Sequence, residues 1–150
     1  MRQRPKVLGV IGTLTITSCA TATPDHVPET LRGCWIERRG AETLTMRWFP
    51  TDAYNWRGDL LSYRDGQEPA PQTFLLGATA GEKERAGWAL CPHDDALGHG
   101  PPCQPLFFGR GPSSNPERME IVATKDRLRF DFINGDQRLM LFDGARDGCD

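Results

Sequence analysis

The sequence predicts an all-β domain, a small antiparallel up-and-down barrel of about eight to nine strands, with a β-sandwich as the alternative. Three observations predict it. Short segments rich in aromatic and β-branched residues recur between turn formers, no long helical period interrupts them, and the chain ends on a hairpin whose strands alternate apolar and polar. The domain so delimited runs from 30 to 150.

The N-terminus precedes it. Arg2, Arg4 and Lys6 form a basic start, and Val7 to Thr17 is an apolar stretch too short to span a bilayer stably but of targeting length. The run Ile16-Thr17-Ser18-Cys19, aliphatic, small, small, Cys, resembles the lipobox of bacterial lipoproteins. That resemblance implies a signal peptide over 1–18, cleavage before Cys19, lipidation of Cys19, and a tether over 19–29 holding the domain on a membrane in the bacterial envelope. No Asp follows Cys19, which favours the outer membrane, facing the periplasm, over retention at the inner one. Ala20-Thr21-Ala22 also reads as a small-x-small cleavage site, which would release a soluble periplasmic protein instead.

All twenty acidic residues follow Cys19, whereas three of the eighteen basic ones precede it, leaving 15 − 20 = −5 on the remainder. A domain with that balance lacks the cationic face that nucleic acid requires.

Strands are expected at 32–38, at 42–49, where Leu44, Met46 and Trp48 share one face, and at 54–63 and 72–79. Further strands follow at 87–91, 106–109, 117–124, 127–133 and 137–143. Arg64-Asp65-Gly66-Gln67 is a turn, and Glu82-Lys83-Glu84-Arg85 is a charged hairpin tip. In the last hairpin Leu128, Phe130 and Phe132 point inward. Asn134-Gly135 suits a two-residue turn with positive φ, which would set Asp131 opposite Arg138, Phe130 opposite Leu139 and Leu128 opposite Leu141.

Four cysteines besides Cys19 form an even set in an oxidising compartment. Of three possible pairings we favour Cys91 with Cys103, clipping a Pro/Gly-rich loop, and Cys34 with Cys149, tying the first strand to the tail and the last strand.

Leu31-x-Gly33-x-Trp35 at the head of the first strand resembles the opening of lipocalin-type and other calycin-like barrels. More narrowly, Gly33-Cys34-Trp35, Trp48 and Trp56-Arg57-Gly58 are similar to bacterial domains of the GCW type that often follow a lipoprotein signal. The calycin resemblance implies that Trp35 closes one barrel end against an arginine from a late strand, for which Arg127, Arg129 and Arg138 are the candidates. It also implies an interior that binds apolar ligands, with Trp35, Trp48, Trp56, Phe130 and Phe132 as candidate ligand-binding residues. Trp88, Phe107 and Phe108 are further candidates for such a lining, but the favoured use of these aromatics is to fill the core, since a small barrel has little interior to spare once its own side chains are packed.

The stretch from Cys91 to Cys103 also gathers His93, Asp94, Asp95 and His99, a set able to hold zinc or copper, although oxidised cysteines make poor ligands. Ser113 and Ser114 lack a nucleophile elbow. Glu37, Glu42, Asp59 and Glu120 are carboxylates that a cleft would have to bring together for acid–base work. No catalytic or cofactor motif stands out. The expectation is a non-enzymatic envelope lipoprotein binding an apolar small molecule or lipid in its barrel. The alternatives are a periplasmic interaction or inhibitor protein acting through exposed loops such as 92–102 and, behind it, a hydrolytic enzyme.

Overall fold

The computed structural model describes residues 27–79, 87–93 and 102–149. The expected signal peptide, Cys19, most of the expected tether, the expected hairpin tip at 82–85, and Asp94, Asp95 and His99 lie outside the described residues. Among the described residues, a 3-10 turn at Glu29–Leu31 is followed by nine strands: β1 (Gly33–Arg39), β2 (Glu42–Pro50), β3 (Asn55–Arg64), β4 (Ala70–Thr79), β5 (Gly87–His93), β6 (Gln104–Phe108), β7 (Glu117–Ala123), β8 (Arg127–Asn134) and β9 (Gln137–Asp147). They close into one barrel in sequence order.

The barrel is mixed, not wholly antiparallel. Pairs run antiparallel except β6 with β7, which is parallel through Leu106 opposite Met119 and Phe108 opposite Ile121. Geometry requires such a junction. Strand direction flips at every antiparallel contact, a closed ring needs an even number of flips, and a ring of nine junctions therefore contains an odd number of parallel ones. The expectation of an up-and-down meander is corrected at this one point, where residues 109–116 carry the chain back along the outer wall.

Period-two patterning builds the interior. Trp35, Leu44, Met46, Trp48, Leu76, Leu90, Leu106, Ile121, Leu128, Phe130 and Phe142 are buried within the barrel. Arg57, Asp59, Arg118, Glu120, Arg129, Asp131 and Asp143 alternate with the inward residues and face outward. A barrel with an apolar interior and a charged outer wall is the inverse of one that faces lipid.

One end is sealed. The 3-10 turn places Leu31 and Val27 in the core, and Thr30 Oγ1 donates to the Ala123 carbonyl at 2.9 Å. The first and last strands meet through Cys34 opposite Asp147, Trp35 opposite Arg146 and Ile36 opposite Ala145. That juxtaposition sets up the Cys34–Cys149 disulfide, with Cα atoms 5.3 Å apart. Cys91–Cys103 ties β5 to the approach to β6 over 4.1 Å. Both bridges are the expected ones.

The last hairpin forms one residue further along than expected. Asn134 pairs with Gln137, so Gly135 and Asp136 make the turn, and Ile133, not Asp131, lies opposite Arg138. A bulge on β9, opposite the step from Phe130 to Asp131 on β8, then leaves Leu141 without a partner and sets Phe130 opposite Phe142. A bulge lets the strand turn two consecutive side chains, Leu141 and Phe142, toward the core. The expected charge pair survives on the diagonal, because the Arg138 guanidinium reaches Asp131 Oδ2 at 2.5 Å.

Candidate functional site

The open end of the barrel leads into a cavity of about 310 Å³. Met46 on β2, Leu60 on β3, Phe74 on β4, Leu90 and Pro92 on β5, and Met119 on β7 line one part of it. Phe130, Phe132 and Leu141 complete the apolar wall, and Gln72 and Gln104 are its polar members. Phe74 and Phe130, from opposite sides of the barrel, meet edge to face with ring centroids 5.9 Å apart and planes at 86°. Both are buried, so this pair separates the cavity from the packed end beneath it.

Of the aromatic residues singled out from the sequence, Phe130 and Phe132 are on the cavity wall. Trp35, Trp48 and Trp56 are not. They lie in the packed core, one or more pleats towards the sealed end. Trp48 lies flat across Gly58, its partner on β3, where a Cβ would fall 2.6 Å from the ring, and its indole N–H points at Met46 Sδ at 2.9 Å. Trp35 donates its indole N–H to the Leu31 carbonyl at 3.2 Å.

The arginine that covers Trp35 is Arg146, with its guanidinium carbon 4.1 Å from the ring centroid. Its nitrogens donate to the carbonyls of Thr30, Arg32 and Lys125 at 2.8, 2.9 and 2.6 Å. Gly33 lets it approach: φ there is +130°, and a Cβ would collide with the guanidinium. Arg127, Arg129 and Arg138 do not take this role. Their strand positions turn them to the outer wall, where Arg127 chelates Asp143 and the other two meet Asp131.

A charged collar occupies the β1–β3 side of the open end. Glu37 and Arg39 lie on the inward face of β1, beyond the point where β1 and β9 cease to pair. There the side chains replace the missing ladder: Glu37 Oε2 accepts from the Asp143 N–H at 2.7 Å, Arg39 donates to the Leu141 carbonyl at 2.9 Å, and the two bind each other. The carboxylate beside it drives the Arg39 pKa up. Glu42 accepts from Ser62 Oγ at 2.7 Å and faces Arg64 at 3.6 Å.

A second cluster lies on the outer wall beneath residues 109–116. Glu120 accepts from Arg118 Nε at 2.8 Å, Arg138 Nη2 at 2.8 Å and the Gly111 N–H at 2.9 Å, and Arg138 continues to Asp131. Burial pushes the Glu120 carboxyl up, but these three donors outweigh it and hold the pKa below the ordinary value. Glu37, Glu42, Asp59 and Glu120 are therefore each matched to a cation and are not assembled as an acid–base pair. Ser114 Oγ donates to its neighbour Asn115 Oδ1 at 3.4 Å, in a turn. His93 ends β5, opposite Thr73 on the outer side of the wall, and His99 lies outside the described residues. Among the described residues no three His, Cys, Asp or Glu side chains are grouped to hold a metal ion.

No family model matches the chain, and no curated protein or solved structure is significantly similar to it. The site must be read from its own chemistry.

Proposed function

We propose that the protein is an exported envelope lipoprotein, anchored through Cys19 at the periplasmic side of the outer membrane, whose barrel binds an apolar small molecule or lipid without transforming it. The observation that carries this reading is the open cavity of about 310 Å³ with a wall of aliphatic, aromatic and thioether groups. Cavities of this kind sit at the small end of the range that takes organic ligands and bury most of the ligand surface. Two disulfides within the domain fit an oxidising compartment. The Trp35–Arg146 stack supports kinship with calycin-like barrels.

Filling the cavity from its own wall tests the reading. Leu60→Trp should abolish binding of 1-decanol, followed by amide chemical-shift changes of cavity residues, and should retain the native fold. Undiminished binding by that variant would remove the cavity as the site. The alternative, an interaction protein working through the loop at 92–102, draws its support from the Cys91–Cys103 bridge that pins the loop base. It predicts a partner that still binds the Leu60→Trp variant.

A further inference from the structure

We infer that the cavity selects an uncharged amphiphile, an apolar chain or ring system ending in a hydrogen-bonding but neutral head such as an amide or alcohol, over a fatty acid of the same length. The inference rests on the proposed ligand-binding reading and adds the class of ligand.

Size comes from the cavity itself. At about 310 Å³ it is roughly twice the apolar cavity of about 150 Å³ that accepts benzene, so it suits a ligand of about a dozen heavy atoms. Head-group chemistry comes from the polar groups that reach it. None of the described residues on the wall is charged, and its two polar members are glutamines. Gln72 and Gln104 lie on the inward faces of β4 and β6, opposite Leu60 and Leu90 respectively, with β5 between them. A primary amide both donates and accepts but carries no charge. It completes hydrogen bonds with an amide or hydroxyl, and it cannot neutralise a carboxylate.

Among the described residues, the cations of the collar, Arg39 and Arg64, are already engaged. Arg39 is held by Glu37 and the Leu141 carbonyl, and Arg64 faces Glu42, so the collar presents matched pairs. A carboxylate entering here would lose hydration without gaining either of these arginines as an unshared counter-ion, whereas a neutral head needs none. The glutamines are also graded in depth. Gln104 is half-buried beside Leu90 and Gln72 is exposed, which places two amides along the path from solvent to the apolar floor.

The test compares decanamide, 1-decanol and decanoate at pH 7.5 on the full-length protein, with affinities from amide chemical-shift titration. The expected result is binding of decanamide and 1-decanol at least tenfold tighter than decanoate. Gln104→Leu should weaken decanamide about tenfold and leave decanoate unchanged. Gln72→Leu, at an exposed position, gives the same comparison should the deeper substitution fail to fold. Decanoate binding as tightly as decanamide, or a preference for decanamide that survives both substitutions, would overturn the head-group inference while leaving the binding barrel standing. Absence of binding by all three compounds would overturn both.

Discussion

Arg146, which was not singled out from the sequence, ties the sealed end together. It lies over the Trp35 ring while donating to three carbonyls from two separate segments, the N-terminal turn and the β7–β8 connection. A cation over an indole contributes about 0.5–2 kcal/mol depending on desolvation, and each charge-assisted hydrogen bond adds to it, reduced by solvent at this exposed position. We expect Arg146→Ala to lower unfolding free energy by about 2–3 kcal/mol in urea titration. Arg146→Lys should recover less than half, because a point charge cannot reach three carbonyls from above a ring. Parity in β8 already excluded two of the arginines expected here. With Leu128, Phe130 and Phe132 inward, Arg127 and Arg129 must face out. Arg146 escaped notice because the strand was expected to stop at Asp143, where Gly144 and the Leu141 bulge interrupt the alternation.

At the scale of strands and hairpins, two seams are held by side chains and not by the ladder alone. Between β1 and β9, Glu37 and Arg39 take over where three backbone pairs end. Along β7, β8 and β9 the alternating acids and arginines of the outer wall bind one another across strands. Three carboxylates have pKa values below the ordinary 4.5 or 3.8: Glu120 despite its burial, through Gly111, Arg118 and Arg138; Asp143 through Arg127; Asp52 through Asn55. Each binds its proton less readily folded than unfolded, so the unfolded chain takes up more protons as pH falls and stability declines. The urea midpoint should stay level above about pH 5 and fall towards pH 3, and Glu120→Gln should make the fall shallower. Strand positions were legible within a residue or two, apart from the C-terminal end of β9, which runs four residues past the expected Asp143, because period-two patterning is strong in segments such as Glu42–Pro50 and Arg127–Asn134. Register was not, because both Asn134-Gly135 and Gly135-Asp136 offer turn chemistry, and packing of Leu141 and Phe142 selects between them.

For the whole molecule, closure follows from joining the ends of the chain. Cys34–Cys149 closes a loop of 115 residues, which in the chain-entropy account stabilises the fold by about 4–5 kcal/mol. The barrel, the meeting of first and last strands and both bridges could be read from strand count and cysteine placement. The parallel β6–β7 junction could not, since it depends on the parity of the strand number. The cavity was only half legible: the aromatics split between wall and core according to how far along each strand they sit, and Gln72 and Gln104 carry no motif that marks them. Composition tells how much apolar surface is buried, while a cavity arises from where filling stops.

The central claim, that the open end of this barrel holds an apolar guest on a lipid-anchored domain, is tested most directly by native and denaturing mass spectrometry of the full-length product purified from its own envelope. The account predicts a chain beginning at Cys19 with added acyl mass, two disulfides, and a co-purifying neutral adduct of small mass that is lost on denaturation. A chain that begins beyond Cys19, carries no adduct and takes up none when 1-decanol is added would contradict it.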